Sequence, residues 1–347
     1  MKETTTPEAA RSRVAVIILN WNGEKLLRRY LPSVVATTNS EIADVIVADN
    51  GSTDGSLAYI RAEFPETVEL MEFPENLGFA GGYNEAIGRL SDSYGYVVLL
   101  NSDVETTPGW CDTLFNYMEE HSGCGACQPK LLSDTARDTF EYAGAAGGYI
   151  DRNGYPYCRG RIFGTCEKDR GQYDTVAEVF WATGACFMVR RELYVRCGGL
   201  DARFFAHMEE IDLCWRIRLA GYTIAAVPQA TVYHLGGGSL PADNPKKTYL
   251  NFRNNLLMLY KNLPAKGRTG FLFRRRLLDT LAWLKFVAGF DFANASAVVK
   301  AHRDYASMRK EYSCAAPRNL LRCDADSRRN ILLEYYLRGH KTYDRLS

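Results

Sequence analysis

The chain of 347 residues contains no uninterrupted apolar run long enough to cross a bilayer, so the sequence offers no spanning helix. Its opening, Met1–Arg13, is polar and charged and lacks the apolar segment of a signal peptide. There is no internal repeat and no low-complexity tract. A charge imbalance is missing as well. The 42 Lys and Arg nearly cancel 41 Asp and Glu, and a formal charge of +1 argues against general nucleic-acid binding. The ten cysteines include one C-x-x-C, Cys124 to Cys127, with no second pair, whereas structural zinc takes four ligands. They read as reduced, buried thiols of a cytoplasmic protein. The Gly-rich run at residues 78–82 is not G-x-G-x-x-G and follows Pro74-Glu75-Asn76 instead of the first strand, which excludes a nicotinamide-cofactor fingerprint.

What is present is strand–helix alternation. Val14–Leu19 is a buried strand stopped at Asn20-Trp21-Asn22-Gly23, and Glu24–Val35 is an amphipathic helix with Leu27, Leu31 and Val34 on one face. Further strands are expected at Asp44–Ala48, Val68–Phe73 and Tyr96–Leu100, with helices over Ser56–Glu63 and up to Leu90. This order implies an α/β fold, with a mostly parallel sheet flanked by helices. From Gly144 to Asp174 the pattern fades into an expected long loop. Val179–Arg190 reads as a strand pair or bulged strand, Glu209–Ala220 as a helix stopped by Gly221, and Tyr222–Pro228 as a strand. A boundary is placed after Asn262, giving a polar tail (1–13), a catalytic domain (14–262) and a basic helical C-terminal region (263–347).

The strand Tyr96–Leu100 ends abruptly in Asn101-Ser102-Asp103. A carboxylate is costly inside a sheet but suits the mouth beyond its strand ends, where it can hold a cation carrying a phosphate-bearing ligand. The alternatives for Asp103 are a turn residue or a helix cap. Asn20 and Asp49 end the first two strands and should share that mouth; Asp54 reads equally as a cap. Gly81 and Gly82 would let the backbone approach a ligand or a neighbouring strand closely. In the helix start Glu209-Glu210-Ile211-Asp212, Glu210 shares a face with Leu213, Cys214 and Ile217. Desolvation there raises a carboxyl pKa, which suits a general base. Asp212 faces Arg216 and reads either as an exposed ion pair or as a rival base. His234 follows a strand and precedes Gly236-Gly237-Gly238, leaving metal ligation and a structural role both open.

Taken in order, residues 17–23, 47–56, 76–84, Asn101-Ser102-Asp103, 184–191, Gly198-Gly199-Leu200-Asp201, 209–214 and Tyr233-His234 resemble a family 2 glycosyltransferase of the GT-A fold, most of all its rhamnosyltransferase branch. The resemblance runs over roughly residues 14–260 and implies a Rossmann-like sheet with a C-terminal helical appendage. It implies inverting transfer of a sugar, rhamnose favoured, from a dTDP- or UDP-linked donor to an acceptor hydroxyl of a cell-surface or lipid-linked saccharide. In that reading Asp103, joined by His234, ligates Mg2+ or Mn2+; Asn20, Asp49, Asn76, Gly81, Asn101 and Ser102 line the donor pocket; and Glu210 deprotonates the acceptor.

Two departures from the family pattern stand out. Asn101 replaces the first carboxylate of a D-x-D, and Glu210 stands where the family carries Asp. Asn101 alone favours a different class, a silent domain that binds nucleotide or glycan as a scaffold. A nucleotidyltransferase would want a Gly- and Arg-rich loop where this chain has Asn20-Trp21-Asn22-Gly23. Between Lys261 and Lys310, 11 Lys or Arg face 3 Asp. With the Leu, Trp and Phe of Phe271–Ala301, this composition fits a helix on the cytoplasmic face of an anionic membrane. It equally fits a helical pair packed on the catalytic domain with a solvated basic face.

Overall fold

The computed structural model describes residues 13–236, 244–312 and 316–346. The polar tail before Arg13, and Gly237 and Gly238 after His234, lie outside the described residues. The first half alternates β1 (Arg13–Asn20), α1 (Glu24–Thr37), β2 (Ala43–Asp49), α2 (Ser56–Glu63), β3 (Val68–Glu72), α3 (Gly78–Arg89) and β4 (Tyr94–Leu100). Short β5 (Val104–Thr106), α4 (Trp110–Glu120) and β6 (Cys124–Ser133) follow. After four very short strands, β7 (Gly148–Ile150), β8 (Pro156–Cys158), β9 (Arg161–Ile162) and β10 (Thr165–Cys166), come β11 (Ala177–Val179) and β12 (Cys186–Arg190). The remainder is α5 (Arg191–Arg196), α6 (Glu209–Leu219), β13 (Thr223–His234), α7 (Pro245–Asn262), α8 (Ala265–Ala288) and α9 (Phe292–Met308), ahead of short helical turns.

The main sheet runs β11-β13-β6-β12-β4-β1-β2-β3, with β5 paired to β13. It is parallel across β4-β1-β2-β3 and between β6 and β13, while β12 is inserted antiparallel between β4 and β6. Both faces are covered, which is why the strands read as continuous apolar runs. Ala15 and Ile17 of β1 pack towards α3, whereas Val14, Val16 and Ile18 pack towards α1 and α4.

Two expectations are corrected. Residues 144–174 are not an open loop: β7 to β10 form a separate four-stranded antiparallel sheet, with Tyr157, Cys158 and Ile162 fully buried. Strands of two or three residues carry no readable period, and the segment is ordered by distant partners. Lys130 on β6 meets Asp169 and Asp174, while Asp151 and Glu167 accept backbone N–H bonds from Ile331 and Tyr343. The strand expected to stop at Pro228 instead continues to His234, because a bulge between Val227 and Thr231 absorbs the proline.

Beyond residue 263 the chain is helical and also completes the core. Tyr305, Tyr312, Leu320, Leu321, Ile331 and Leu346 join the same apolar cluster as Ile17 and Leu99. Among the described residues no helix is long and apolar enough to cross a membrane.

Candidate active site

Parallel pairing brings three strand ends to one edge: Asn20 is registered with Asp49, and Ile18 with Leu100. Asn20 and Asp49 are both buried. The Asn20 amide donates to Asp49 Oδ1 at 2.8 Å and to Ser52 Oγ at 3.1 Å, while Asp49 Oδ2 accepts from the Ser52 amide. Asn20 Oδ1 is left without a protein partner, an acceptor available to a donor group of a ligand. Asp54 is a double cap, accepting from the backbone N–H of Glu24 at the start of α1 and of Ser56 at the start of α2.

Asn76 joins this edge through Asn50, a residue the sequence reading did not single out. The Asn50 amide donates to Asn76 Oδ1, and Asn50 Oδ1 accepts from the Leu77 N–H. Gly81 is half-buried in α3, where a Cβ would meet only Leu77. The close approach belongs to Gly82: a Cβ there would lie 2.6 Å from Leu19 Cδ1, so its absence lets α3 settle on β1.

Past β4, Asn101 and Ser102 are half-buried in a turn closed by the Val104 N–H on the Asn101 carbonyl. Antiparallel pairing of β5 with β13 sets His234 opposite Val104 and therefore beside Asp103. Asp103 Oδ1 lies 3.1 Å from His234 Nε2, and Asn101 Nδ2 lies 3.4 Å from the same nitrogen. Glu141 Oε1 stands 3.3 Å from His234 Nδ1. Burial pushes the Asp103 carboxyl up, but the bond and charge of His234 outweigh it and hold Asp103 below the usual range. Burial pulls His234 down, yet the Asp103 and Glu141 bonds push it up to about 10.

These residues fit a divalent cation. Asp103 and the Nε2 of a neutral His234 converge on one point, and Glu141 sits where it would take the other ring N–H, the usual outer partner of a ligating histidine. Among the described residues no group of three or more His, Cys, Asp or Glu is placed to hold a metal ion, so Asp103 and His234 would supply two protein ligands only. Such an open site leaves coordination positions for phosphate oxygens and water, as is common for Mg2+. Glu141 lies just before the 144–174 segment, in a stretch to which the sequence pattern assigns no role, and only the fold brings it to His234.

The antiparallel insertion of β12 carries the acidic helix start to the same mouth. Cys186 pairs with Leu100, and the Ala185 carbonyl accepts the Asn101 N–H at 3.0 Å. Gly184, next in line, packs against Glu210: a Cβ built there would lie 3.7 Å from that of Glu210. Burial raises the Glu210 carboxyl to about 7, against opposing backbone N–H bonds from Glu210, Ile211 and Gly184. Its Oε2 has no protein partner. The adjacent Glu209 is likewise pushed up, by burial and by the charge of Glu210.

Asp212 is different. The expected pair with Arg216 exists, but it is buried, because α7 packs over that face and adds Lys261 and Asn262. Asp212 accepts from Arg216, from Lys261 at 2.8 Å and from Asn262 at 2.6 Å. Burial would raise its carboxyl, but the charges of Arg216 and Lys261 win and lower it.

The loop before α6 is strained. Phe205, His207 and Met208 all have φ between 68° and 75°, a left-handed region that disfavours side chains by on the order of 1 kcal/mol each. Fully buried Asn254 on α7 holds this geometry, donating to the carbonyls of Phe204, Ala206 and His207 at 2.8–2.9 Å.

A strand-end mouth with this layered α/β topology is that of the GT-A fold. The fold is shared with GalNAc-T7 solved with UDP, GalNAc and Mn2+: TM-score 0.58 at 14% identity, over 89% of this chain and 59% of that one. It is shared at TM-score 0.50 and 18% identity with a mannosyltransferase of Pyrobaculum calidifontis solved with GDP-Man and Mn2+, over 87% of this chain and 76% of that one. Residues 15–197, more than half of the chain, match the model of Glycosyl transferase family 2, and the chain belongs to that family. Its relatives include an N-acetylglucosaminyl-diphospho-decaprenol L-rhamnosyltransferase of Mycobacterium tuberculosis, 29% identical over 63% of this chain and 75% of the relative. The rhamnosyltransferase WbbL of Escherichia coli is 26% identical over 45% of this chain and 60% of the relative.

Proposed function

We propose that this glycosyltransferase moves a sugar, rhamnose in the first instance, from a dTDP- or UDP-linked donor to a hydroxyl of a lipid-linked saccharide with inversion at the anomeric carbon. The observation that carries the reading is Glu210: a carboxyl raised to about 7, with one oxygen unpartnered, packed beside Gly184 next to the Asn101 turn. The resemblance to rhamnosyltransferases supports the sugar, and the decaprenol-linked substrate in the name of the mycobacterial relative supports the acceptor.

In this mechanism Asn20 and Asp49 orient the nucleoside, while Asn101 and Ser102 border the sugar and diphosphate. Asp103 and His234 would hold Mg2+ or Mn2+, which when bound neutralises charge developing on the leaving diphosphate. Ionised Glu210 takes the proton of the acceptor hydroxyl. That oxygen then attacks the anomeric carbon on the face opposite the diphosphate, whose C–O bond breaks as it departs with the electron pair. Asp212 is a positioning residue, its oxygens already committed to Arg216, Lys261 and Asn262. With a lipid-linked acceptor the enzyme works peripherally on the cytoplasmic membrane face.

The test is a thermal-shift panel of nucleotide-sugars with Mn2+, followed by transfer assays on polyprenyl-diphosphate-linked N-acetylglucosamine. Stabilisation and turnover with dTDP-rhamnose support the reading. Stabilisation without turnover on any donor would instead establish the silent scaffold that Asn101 favours.

A further inference from the structure

The two fully buried residues of helix α8 are charged: Arg275 and Asp279 are 3% and 0% exposed and pair at 2.9 Å, while Phe271 and Leu272 near its start pack partly buried against the core. Arg275 also donates to Asn255 and the Gly154 carbonyl, and Asp279 is met by Tyr155 and His302. Its outward face is apolar. Phe273, Leu277, Leu281 and Leu284, one stripe at helical spacing, are 49–65% exposed. Phe290, in the turn before α9, is held at φ 58° and is 80% exposed, and Phe292, which opens α9, is 62% exposed, their rings edge-on 6.3 Å apart. A helix facing water shows the opposite arrangement, and a contiguous outward ridge of this kind marks a surface that meets something apolar.

The ridge is bordered by cations. Arg274 and Lys285 flank one side of it and Arg276 the other. Arg274 also enters a cavity of about 410 Å³ lined by Arg152, Arg322 and Arg328 together with Asn319. All four arginines are exposed and no carboxylate lines the cavity; Arg274 donates to the Arg152 carbonyl and Arg328 to the Arg322 carbonyl. Guanidinium groups converging without carboxylates suit a phosphate, which they bind through forked hydrogen bonds.

We propose that α8 and the Phe290 turn form an interfacial docking surface for an anionic phospholipid bilayer, with a lipid phosphate in the arginine cavity. The apolar ridge enters the acyl boundary, the flanking cations lie at headgroup level, and the buried Arg275–Asp279 pair anchors the helix to the catalytic body. The purpose of this surface rests on the lipid-linked acceptor proposed above, although its geometry does not.

The test is flotation of the full chain with vesicles of phosphatidylcholine alone, or mixed with phosphatidylglycerol, without substrate. The wild type should float with the anionic vesicles, weakly with the neutral ones, and less at high salt. Leu277→Glu combined with Leu281→Glu, both on the exposed face, should lower the bound fraction at least about tenfold while leaving the circular dichroism spectrum unchanged. Arg274→Glu with Arg328→Glu should remove the preference for anionic lipid. A wild type that stays unbound, or binds both vesicles equally, overturns the proposal. So does a ridge variant that floats as well as the wild type, or one that converts a solution dimer to monomer, which would make the ridge a self-association face. If flotation succeeds but no lipid-linked acceptor is glycosylated, the acceptor reading fails and the docking surface stands.

Discussion

Asp103 and His234 lie 131 positions apart in the chain, yet the pairing of β5 with β13 sets Oδ1 and Nε2 3.1 Å from each other at the sheet mouth. Glu141 closes the far side of the imidazole. If Asp103 and His234 ligate a divalent cation, Glu141 fixes the ring and its tautomer. Glu141→Gln should then weaken Mn2+ binding by roughly 10- to 100-fold, measured by calorimetry in the presence of a nucleoside diphosphate. Unchanged affinity would remove Glu141 from the site.

Asp212 should behave as a structural anchor. Asp212→Asn leaves Lys261 and Arg216 facing a neutral amide in a dry interior, which should reduce unfolding free energy by about 3–5 kcal/mol in urea titrations. The folded carboxyl titrates below its unfolded value, so its stabilisation is fully present above the ordinary Asp range and disappears as pH falls through the folded value. Below about pH 4 the wild type should therefore lose stability with pH more steeply than Asp212→Asn. Parallel acid limbs would contradict the buried pairing.

If Glu210 is the base, Asn254 should position it through the loop before α6. Asn254→Ala frees three carbonyls of the strained loop that starts α6. Transfer kcat should fall roughly 10- to 100-fold, with donor KM changing by less than about threefold. Equal loss in both constants would point to a damaged donor pocket.

How much of this was legible depended on local pattern. The strand ends Asn20, Asp49 and Asp103 could be read because buried parallel strands are apolar up to the residue where they leave the sheet. The inward placement of Glu210 could be read from helical spacing against Leu213 and Ile217. Glu141, Asn50 and Asn254 could not. Each acts through a partner delivered by tertiary pairing, and nothing in their neighbours' periodicity distinguishes them from surface polar residues. The 144–174 sheet was hidden for a related reason, since its two- and three-residue strands are ordered by Lys130 and by the C-terminal segment. The buried Arg275–Asp279 pair of α8 was invisible because composition reports the residues of a helix and not which side is inward.

Glu210 should trade stability for activity. Its carboxyl is raised in the fold, so ionisation destabilises the folded state progressively from the unfolded pKa up to about 7, and the penalty persists above that. Glu210→Gln should therefore raise the thermal midpoint at pH 8 by roughly 1–3 °C and leave it unchanged at pH 4. The wild-type kcat/KM should climb with pH to a plateau beyond about 7, because the base works only when ionised.

The most direct test of the account is the transfer rate of Glu210→Gln beside folded Asp212→Asn, assayed at pH 8 with saturating donor and Mn2+. The account predicts that Glu210→Gln loses transfer by at least about a hundredfold while still binding the nucleoside diphosphate, and that Asp212→Asn keeps most of its rate per folded molecule. Full transfer by Glu210→Gln, with loss confined to Asp212→Asn, would contradict it.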